Sequence, residues 1–274
     1  MQIRWKYTFG LLALVCVGVW LAVFALSDKN LHLIACDVGQ GDAILVTYGD
    51  IQILTDGGAN NKVLDCLGKH MPFWDREIEL VILTHPDKDH FRGLIEVFRR
   101  YRVDNFVHNG LESGSQEYQV LKKEVGGGGA KSIVAKEGTA LRAGKIRLDI
   151  VSPKETNNNG ESNDNSLVIL LGYRDFEAIL TGDVPKEILS GIPVRKPLDY
   201  IKISHHGSKT GTDALVLANL MPKLAVISVG KNSYGHPSGE VIKLLNSKGI
   251  KILRTDLMGD VEVISDGEKF FVKN

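Results

Sequence analysis

Leu80-Val-Ile-Leu-Thr84-His85-Pro86-Asp87-Lys88-Asp89-His90-Phe91 is the stretch on which the reading of this 274-residue chain turns. Its apolar opening, rich in β-branched residues, predicts a strand over 80–84. The strand stops at four potential ligands within six positions, His85, Asp87, Asp89 and His90. Side chains at a strand-to-helix junction can converge on one point, and two imidazoles with two carboxylates offer the N and O donors that hold divalent cations. A solvated turn in which Asp89 caps the next helix would use the same residues, so distant partners have to decide.

Three such partners lie downstream, each at the end of an apolar run and next to Gly or Pro: Ile179-Leu-Thr-Gly-Asp183, Ile201-Lys-Ile-Ser-His205-His206-Gly207-Ser208 and Gly235-His236-Pro237. Asp183 alone would serve equally as the cap of a helix opening at Val184-Pro185. Together with the first cluster, these segments complete a ligand inventory for a dinuclear centre. Strands are predicted over 31–38, 43–48, 51–55, 146–151, 167–171, 176–180, 200–204, 224–229, 251–254 and 261–264. Helices are predicted over 91–101, 116–124, 213–220 and 238–247, which makes an α/β architecture with much antiparallel sheet. Residues 126–129 and 155–165 read as surface loops. Val125-Gly-Gly-Gly-Gly-Ala130-Lys131-Ser132 imitates a phosphate loop but lacks glycine where Val125 and Ala130 stand, so no nucleotide triphosphate site is expected.

The ordered set Thr84-His85-x-Asp87-x-Asp89-His90, Leu180-Thr-Gly-Asp183 and Ser204-His205-His206-Gly-Ser208 resembles the metallo-β-lactamase superfamily. Cys36-Asp37-Val-Gly-Gln40-Gly-Asp42-Ala43 and Leu54-Thr-Asp56-Gly-Gly58 narrow the likeness to the extracellular lactamase-like domain of ComEC-type DNA-uptake proteins, over residues 31–265. The resemblance implies an αββα sandwich with two divalent metal ions at one sheet edge and a hydrolase that uses a metal-activated water, with Asp89 and Asp183 as its catalytic carboxylates. It implies that His85 and Asp87 hold one ion, that Asp89, His90 and His205 hold the other, and that Asp183 bridges them. The histidine that usually completes the first site has no counterpart. That region reads Ser162-Asn-Asp-Asn165-Ser166, so Asn165 and Ser166 are expected to hold water or phosphate. His206 is expected behind the ligands or facing substrate, with the ligand choice open between it and His205. Asp56 is expected to orient a ligand histidine, and His236 and Ser208 to face substrate. Lys202 and Lys209 either meet a phosphate or belong to a charged strand edge. Three carboxylates and three imidazoles do not separate Zn²⁺ from Mn²⁺, although the extra oxygen donor leans toward manganese.

Between positions 7 and 26 no residue is charged, a run of about 20 that matches the thickness of a bilayer for a helix. Residues 1–27 are therefore expected to be a membrane anchor or a signal sequence, and 28–274 the hydrolase domain. Arg4 and Lys6 before the run, with Asp28-Lys29 after it, put the domain on the extracytoplasmic side. Ala25-Leu26-Ser27 suits a signal peptidase and a secreted product, whereas the run exceeds the roughly 7–15 apolar residues of a cleavable signal. The body itself, 43% hydrophobic and 24% charged, has the composition of an ordinary folded domain. Lys+Arg and Asp+Glu both total 33, so no global positive field draws in nucleic acid, and any polyanion contact is local or metal-mediated. Cys16, Cys36 and Cys66 form no CxxC pair, which argues against a disulfide scaffold and a thiolate zinc site.

The resemblance implies a phosphodiesterase that cleaves extracellular DNA in connection with uptake. A single apolar span then calls for membrane contact through residues 7–26 and a separately encoded channel as partner. Two other functions stay open. One is a hydrolase of small phosphodiesters or lactones, since a fold does not dictate substrate. The other is a non-catalytic binding module of an uptake complex, motivated by the missing histidine.

Overall fold

Strands with no polar alternation, such as 80–83, need cover on both faces. The structure, a computed structural model, describes residues 5–25, 28–157 and 160–273, with side chains except at 21–25. It supplies that cover with two sheets packed face to face and helices outside each. The strands are β1 (Leu31–Ala35), β2 (Ile44–Tyr48), β3 (Ile51–Thr55), β4 (Glu77–Leu83), β5 (Arg102–His108), β6 (Lys131–Val134), β7 (Ala140–Ala143), β8 (Ile146–Ser152), β9 (Val168–Tyr173), β10 (Phe176–Leu180), β11 (Tyr200–Lys202), β12 (Leu224–Ile227), β13 (Lys251–Arg254), β14 (Val261–Ser265) and β15 (Phe270–Lys273). The helices are α1 (Trp5–Ala25), α2 (Lys62–His70), α3 (Lys88–Phe91), α4 (Leu94–Arg100), α5 (Gln116–Gly128), α6 (Lys186–Ser190), α7 (Ala214–Leu220), α8 (Gly239–Ser247) and α9 (Thr255–Met258).

One sheet runs β15-β14-β1-β2-β3-β4-β5-β6 and the other β13-β12-β11-β10-β9-β8-β7. Alternate residues of each strand divide between layers. Leu31, Leu33 and Ala35 of β1 enter the core between the sheets, where they meet Leu171, Leu180 and Val226 of the second sheet. Ile34 and Cys36 face the outer core under α2, α4 and α5. Ile179, Ile201 and Ala225 likewise face the outer core under α6, α7 and α8. Pairing is parallel from β3 to β6 and from β10 to β13, so the C-terminal ends of β3 and β4 in one sheet and of β10, β11 and β12 in the other open onto a common rim.

Several expectations change. The helix predicted over 91–101 is two helices, α3 and α4, joined through Arg92 and Gly93, and Gly93 lies against the Gly57 and Asn60 carbonyls where a Cβ has no room. Residues 126–128 continue α5 instead of forming a loop. Tyr118, Leu121 and Val125 bury one face of that helix, and it ends at Gly129, whose φ of +76° suits a left-handed cap. Two of the cysteines are bonded, against expectation: Cys36 at the end of β1 and Cys66 on α2 form a disulfide, with Cα atoms 5.8 Å apart and 30 positions apart in sequence. Spacing alone could not bring them together, since the pair exists only where α2 packs on β1. The expected apolar segment forms α1, with exposed side chains from Trp5 to Trp20. Among the described residues no helix is long and apolar enough to cross a membrane. Leu26 and Ser27, where the cleavage signature and the expected boundary fall, lie outside the described residues.

Candidate metal centre

Each candidate ligand leaves the end of a strand at the common rim. His85 and Asp87 follow β4, Asp89 and His90 lie in α3, Asp183 follows β10, and His205 and His206 follow β11. Two glycine-rich turns clamp α3 from behind. Asp42 N–H donates to the Asp89 carbonyl (3.2 Å), Gly57 N–H to the His90 carbonyl (2.6 Å), and Gly93 N–H to the Gly58 carbonyl (3.0 Å). A Cβ at Gly41 would run into the Asp89 carbonyl, so this close approach of backbones requires glycine.

His205 and His206 both sit in the left-handed region, with φ of +51° and +53°. Such strain costs on the order of 1 kcal/mol per residue and persists only where neighbours impose it. Here Ser204 Oγ donates to the Val184 carbonyl (2.5 Å) and Ser208 N–H to the His205 carbonyl (2.9 Å). The turn sends His206 inward, where it is buried, and leaves His205 half-buried toward His236, ring to ring at 5.5 Å.

Three buried imidazoles, His85, His90 and His206, each have one nitrogen engaged and the other bare. His85 Nδ1 lies 3.0 Å from the Thr84 hydroxyl, which itself donates to Asp56 Oδ2 at 2.8 Å. His90 Nδ1 lies 2.9 Å from the same carboxylate oxygen, and His206 Nδ1 lies 2.9 Å from the Ser228 carbonyl. Acceptors at Nδ1 place the proton there and leave a lone pair on Nε2. All three Nε2 atoms are buried without a hydrogen-bond partner.

Asp89, His90, Asp183 and His206 bring one ligand atom each within 4.8 Å of one another. Asp183 Oδ2 lies 3.4 Å from His90 Nε2 and 3.3 Å from His206 Nε2, and Asp89 Oδ2 lies 3.4 Å from His206 Nε2. Four donors held tetrahedrally at about 2.1 Å around one ion would stand about 3.4 Å apart. The donor set therefore fits a divalent cation better than it fits mutual hydrogen bonds. His85 and Asp87 stand beside the four without joining them, with His85 Nε2 3.7 Å from Asp87 Oδ2.

The electrostatics agree with a cation site. Against the cost of burial, His206, His90 and Lys202 hold the Asp183 carboxyl well below its usual range. Against the same cost, Asp183 lifts His90 and His206 well above theirs, assisted by Asp56 and Asp42 respectively. Burial and the neighbouring His90 push His85 down to about 4, so it is a neutral donor. The carboxylates that hold protons on His90 and His206 would hold a cation in their place, so protonation and cation binding compete.

Other expected site residues find different work. His205 does not belong to the four, and His206, expected behind the ligands or facing substrate, stands in its place, because only His206 is turned inward. Asp56 braces both Thr84 and His90, the orienting part expected of it. Asn165 spends its side chain on its own loop, accepting from Asn157 N–H (2.6 Å) and donating to the carbonyls of Asn157 (3.2 Å) and Glu161 (2.9 Å). Ser166 Oγ accepts from Asp183 N–H at 3.4 Å, and Ser208 Oγ pairs with Thr210 Oγ1 at 2.9 Å. These contacts tie the three groups to the rim of the site. Lys202 is neither a phosphate contact nor a charged edge. It is 1% exposed, pairs with Asp42 and with Asp183 Oδ1 (3.3 Å), and donates to the Gly182 carbonyl (3.0 Å). It thereby occupies one oxygen of Asp183 and leaves the other to the histidines. Sequence reading missed this role for Lys202 and Asp42. The only signal was that Asp42 stands in a glycine-rich turn of the motif.

No family model matches the chain. It is 31% identical over 250 residues to ComE operon protein 3 of Bacillus subtilis, covering 82% of this chain and 32% of that protein. It is 26% identical over 265 residues to Recombination protein 2 of Haemophilus influenzae, covering 94% of this chain and 32% of that protein. The chain thus spans about a third of the length of the curated relatives it matches. Among solved structures, the metallo-β-lactamase fold protein YhfI from Bacillus subtilis superposes with a TM-score of 0.58 at 12% identity, over 85% of this chain and 99% of that one. The chain has the metallo-β-lactamase fold, and its sequence is similar to a segment of the competence proteins, as its motifs indicated.

Proposed function

We propose that this metallo-β-lactamase-fold chain is a metal-dependent phosphodiesterase acting on DNA. In this reading Asp89, His90, Asp183 and His206 hold one divalent ion, Zn²⁺ or Mn²⁺, and His85 with Asp87 contribute to a second. The observation that carries it is the convergence of two bare, buried Nε2 atoms, those of His90 and His206, on the carboxylates of Asp89 and Asp183. Ions so held supply charge that polarises a phosphoryl oxygen and makes water more acidic. The chain's own residues do the rest. Asp56, through Thr84 and directly, holds His85 and His90 in the tautomer that presents Nε2. Lys202 pins Asp183. Asp89, whose side chain is 35% exposed at the mouth of the site, is placed to accept the proton of an attacking water. The likeness to competence proteins supports DNA as substrate.

We also propose an extracytoplasmic domain tethered by α1, working beside an uptake channel. The uncharged run at 7–26 and the Cys36–Cys66 disulfide, a bond that persists in oxidising compartments, support this placement.

The test is release of short products from labelled single-stranded and duplex DNA by the full chain with Mn²⁺ or Zn²⁺, beside Asp183→Ala and His206→Ala. Metal-dependent cleavage lost in both variants is the expected result. Silence on DNA with turnover of bis(4-nitrophenyl) phosphate would move the assignment to small phosphodiesters. Silence on both from a metal-loaded protein would leave a binding module.

A further inference from the structure

A row of rings leads out of the metal centre. His90 and His206 lie 5.5 Å apart between ring centroids, His206 and His205 6.2 Å, His205 and His236 5.5 Å, and His236 and Tyr234 5.8 Å. Burial falls along it: His206 is buried, His205 and His236 are half-buried, and Tyr234 is 75% exposed. We infer that Tyr234, backed by His236 and His205, is a stacking shelf that seats an unpaired base beside the phosphate being cleaved, which makes single-stranded DNA the substrate class. The inference rests on the phosphodiesterase reading and adds the selectivity of the same site.

An exposed tyrosine gains selectivity only if its backbone is fixed, and this one's is. Asn232 Oδ1 accepts from both Tyr234 N–H and His236 N–H at 3.0 Å, while its Nδ2 donates to the carbonyls of Gly230 and His236 at 2.8 Å. Gly235, at φ +78°, makes the turn between the two rings. The loop is also fastened to the turn that carries His206. Ser238 N–H donates to the Gly207 carbonyl (2.9 Å), and a Cβ on Gly207 would lie 2.6 Å from Pro237 Cβ. The loop that carries the shelf is therefore joined directly to the turn that carries His206.

The surroundings favour a single strand. From Ser228 to Ser238 there is no acidic residue, and Lys231, in the same loop as Tyr234, is exposed. A duplex covers the faces of its bases, whereas an unpaired base offers its face to an aromatic ring at about 1–3 kcal/mol per base. With no net charge on the chain, stacking is the interaction left to discriminate.

The experiment compares three fluorescent 20-mers, oligo-dT, its duplex and an abasic strand of the same length, against the full-length protein in detergent. Anisotropy with metal chelated reads binding, and kcat/KM with Mn²⁺ reads cleavage. The wild type is expected to bind oligo-dT roughly tenfold tighter than the abasic strand and the duplex, in line with one or two stacked bases. Tyr234→Ala should bring that ratio to within about twofold, and Tyr234→Trp should keep it. Equal binding of all three probes by the wild type overturns the shelf, as does a preference untouched in Tyr234→Ala. Cleavage without discrimination removes the shelf and leaves the phosphodiesterase. A preference for oligo-dT without cleavage of any strand keeps the shelf as a binding feature and removes the phosphodiesterase.

Discussion

Replacing Lys202 with methionine removes a buried ammonium while keeping an unbranched chain of similar length. Lys202 Nζ lies between Asp42 and Asp183, 3.3 Å from Asp183 Oδ1. At an effective permittivity of about 20, unit charges at that separation attract by about 5 kcal/mol, and desolvation offsets much of it. The magnitude is decided by what remains. Asp42, 2% exposed, would keep only His206 Nδ1 at 3.4 Å and His90 Nδ1 at 3.9 Å, so its charge would be largely stranded. Breaking a buried pair from one side costs about 3–5 kcal/mol, and for a domain of this size that lowers the unfolding midpoint by roughly 6–20 °C. Thermal melts of the wild type, Lys202→Met, Asp42→Asn and the double variant at pH 7 measure this. The double variant should lose clearly less than the sum of the single ones, because Asp42→Asn removes the stranded charge. A Lys202→Met protein that melts within about 1 °C of the wild type, or losses that simply add, would refute the reasoning.

Calorimetric Mn²⁺ titration should separate the two adjacent histidines: His206→Ala should weaken binding by about 100-fold or more, and His205→Ala by less than about threefold, beyond the 10- to 100-fold typical of an orienting partner. Equal losses would mean that the turn carries both as ligands. Opening the Cys36–Cys66 disulfide, by reductant or by Cys36→Ser with Cys66→Ser, frees a loop of 30 residues and should cost about 3–4 kcal/mol; a melt insensitive to reductant would contradict this. Asp260 is held below the usual carboxylate range first by its bond to His70, then, against partial burial, by Asp37 N–H and Lys69. A depressed carboxyl stabilises the fold above its unfolded value near about 3.9 and loses that gain as pH falls through the folded value. Asp260→Asn should therefore reduce stability to denaturant at pH 7 by about 1 kcal/mol, discounted for solvent screening. The gap should narrow as pH drops below about 4, and a gap that holds constant down to pH 2 counts against the assignment.

What the chain's order of residues determined by itself is local. Unbroken apolar runs such as 80–83 call for strands covered on both faces, and ligand-type residues placed directly after those runs must emerge at strand ends. His85, Asp89, His90 and Asp183 were legible for that reason. Asp56 was legible because an imidazole that binds metal needs a carboxylate behind it. The tertiary structure decided matters that depend on direction and on pairing across the fold. His205 and His206 are chemically identical neighbours, and two successive left-handed residues, held by Ser204 and Ser208, turn only one of them inward. Lys202 and Asp42 are 160 positions apart, one read as a phosphate contact or a strand-edge charge and the other only as part of a motif, yet burial makes each the other's necessary partner. Cys36 and Cys66 meet only because α2 lies across β1. Periodicity reports which face of an element is apolar, but it carries no information on where a backbone turn aims a side chain or which distant charge will share its low-permittivity surroundings.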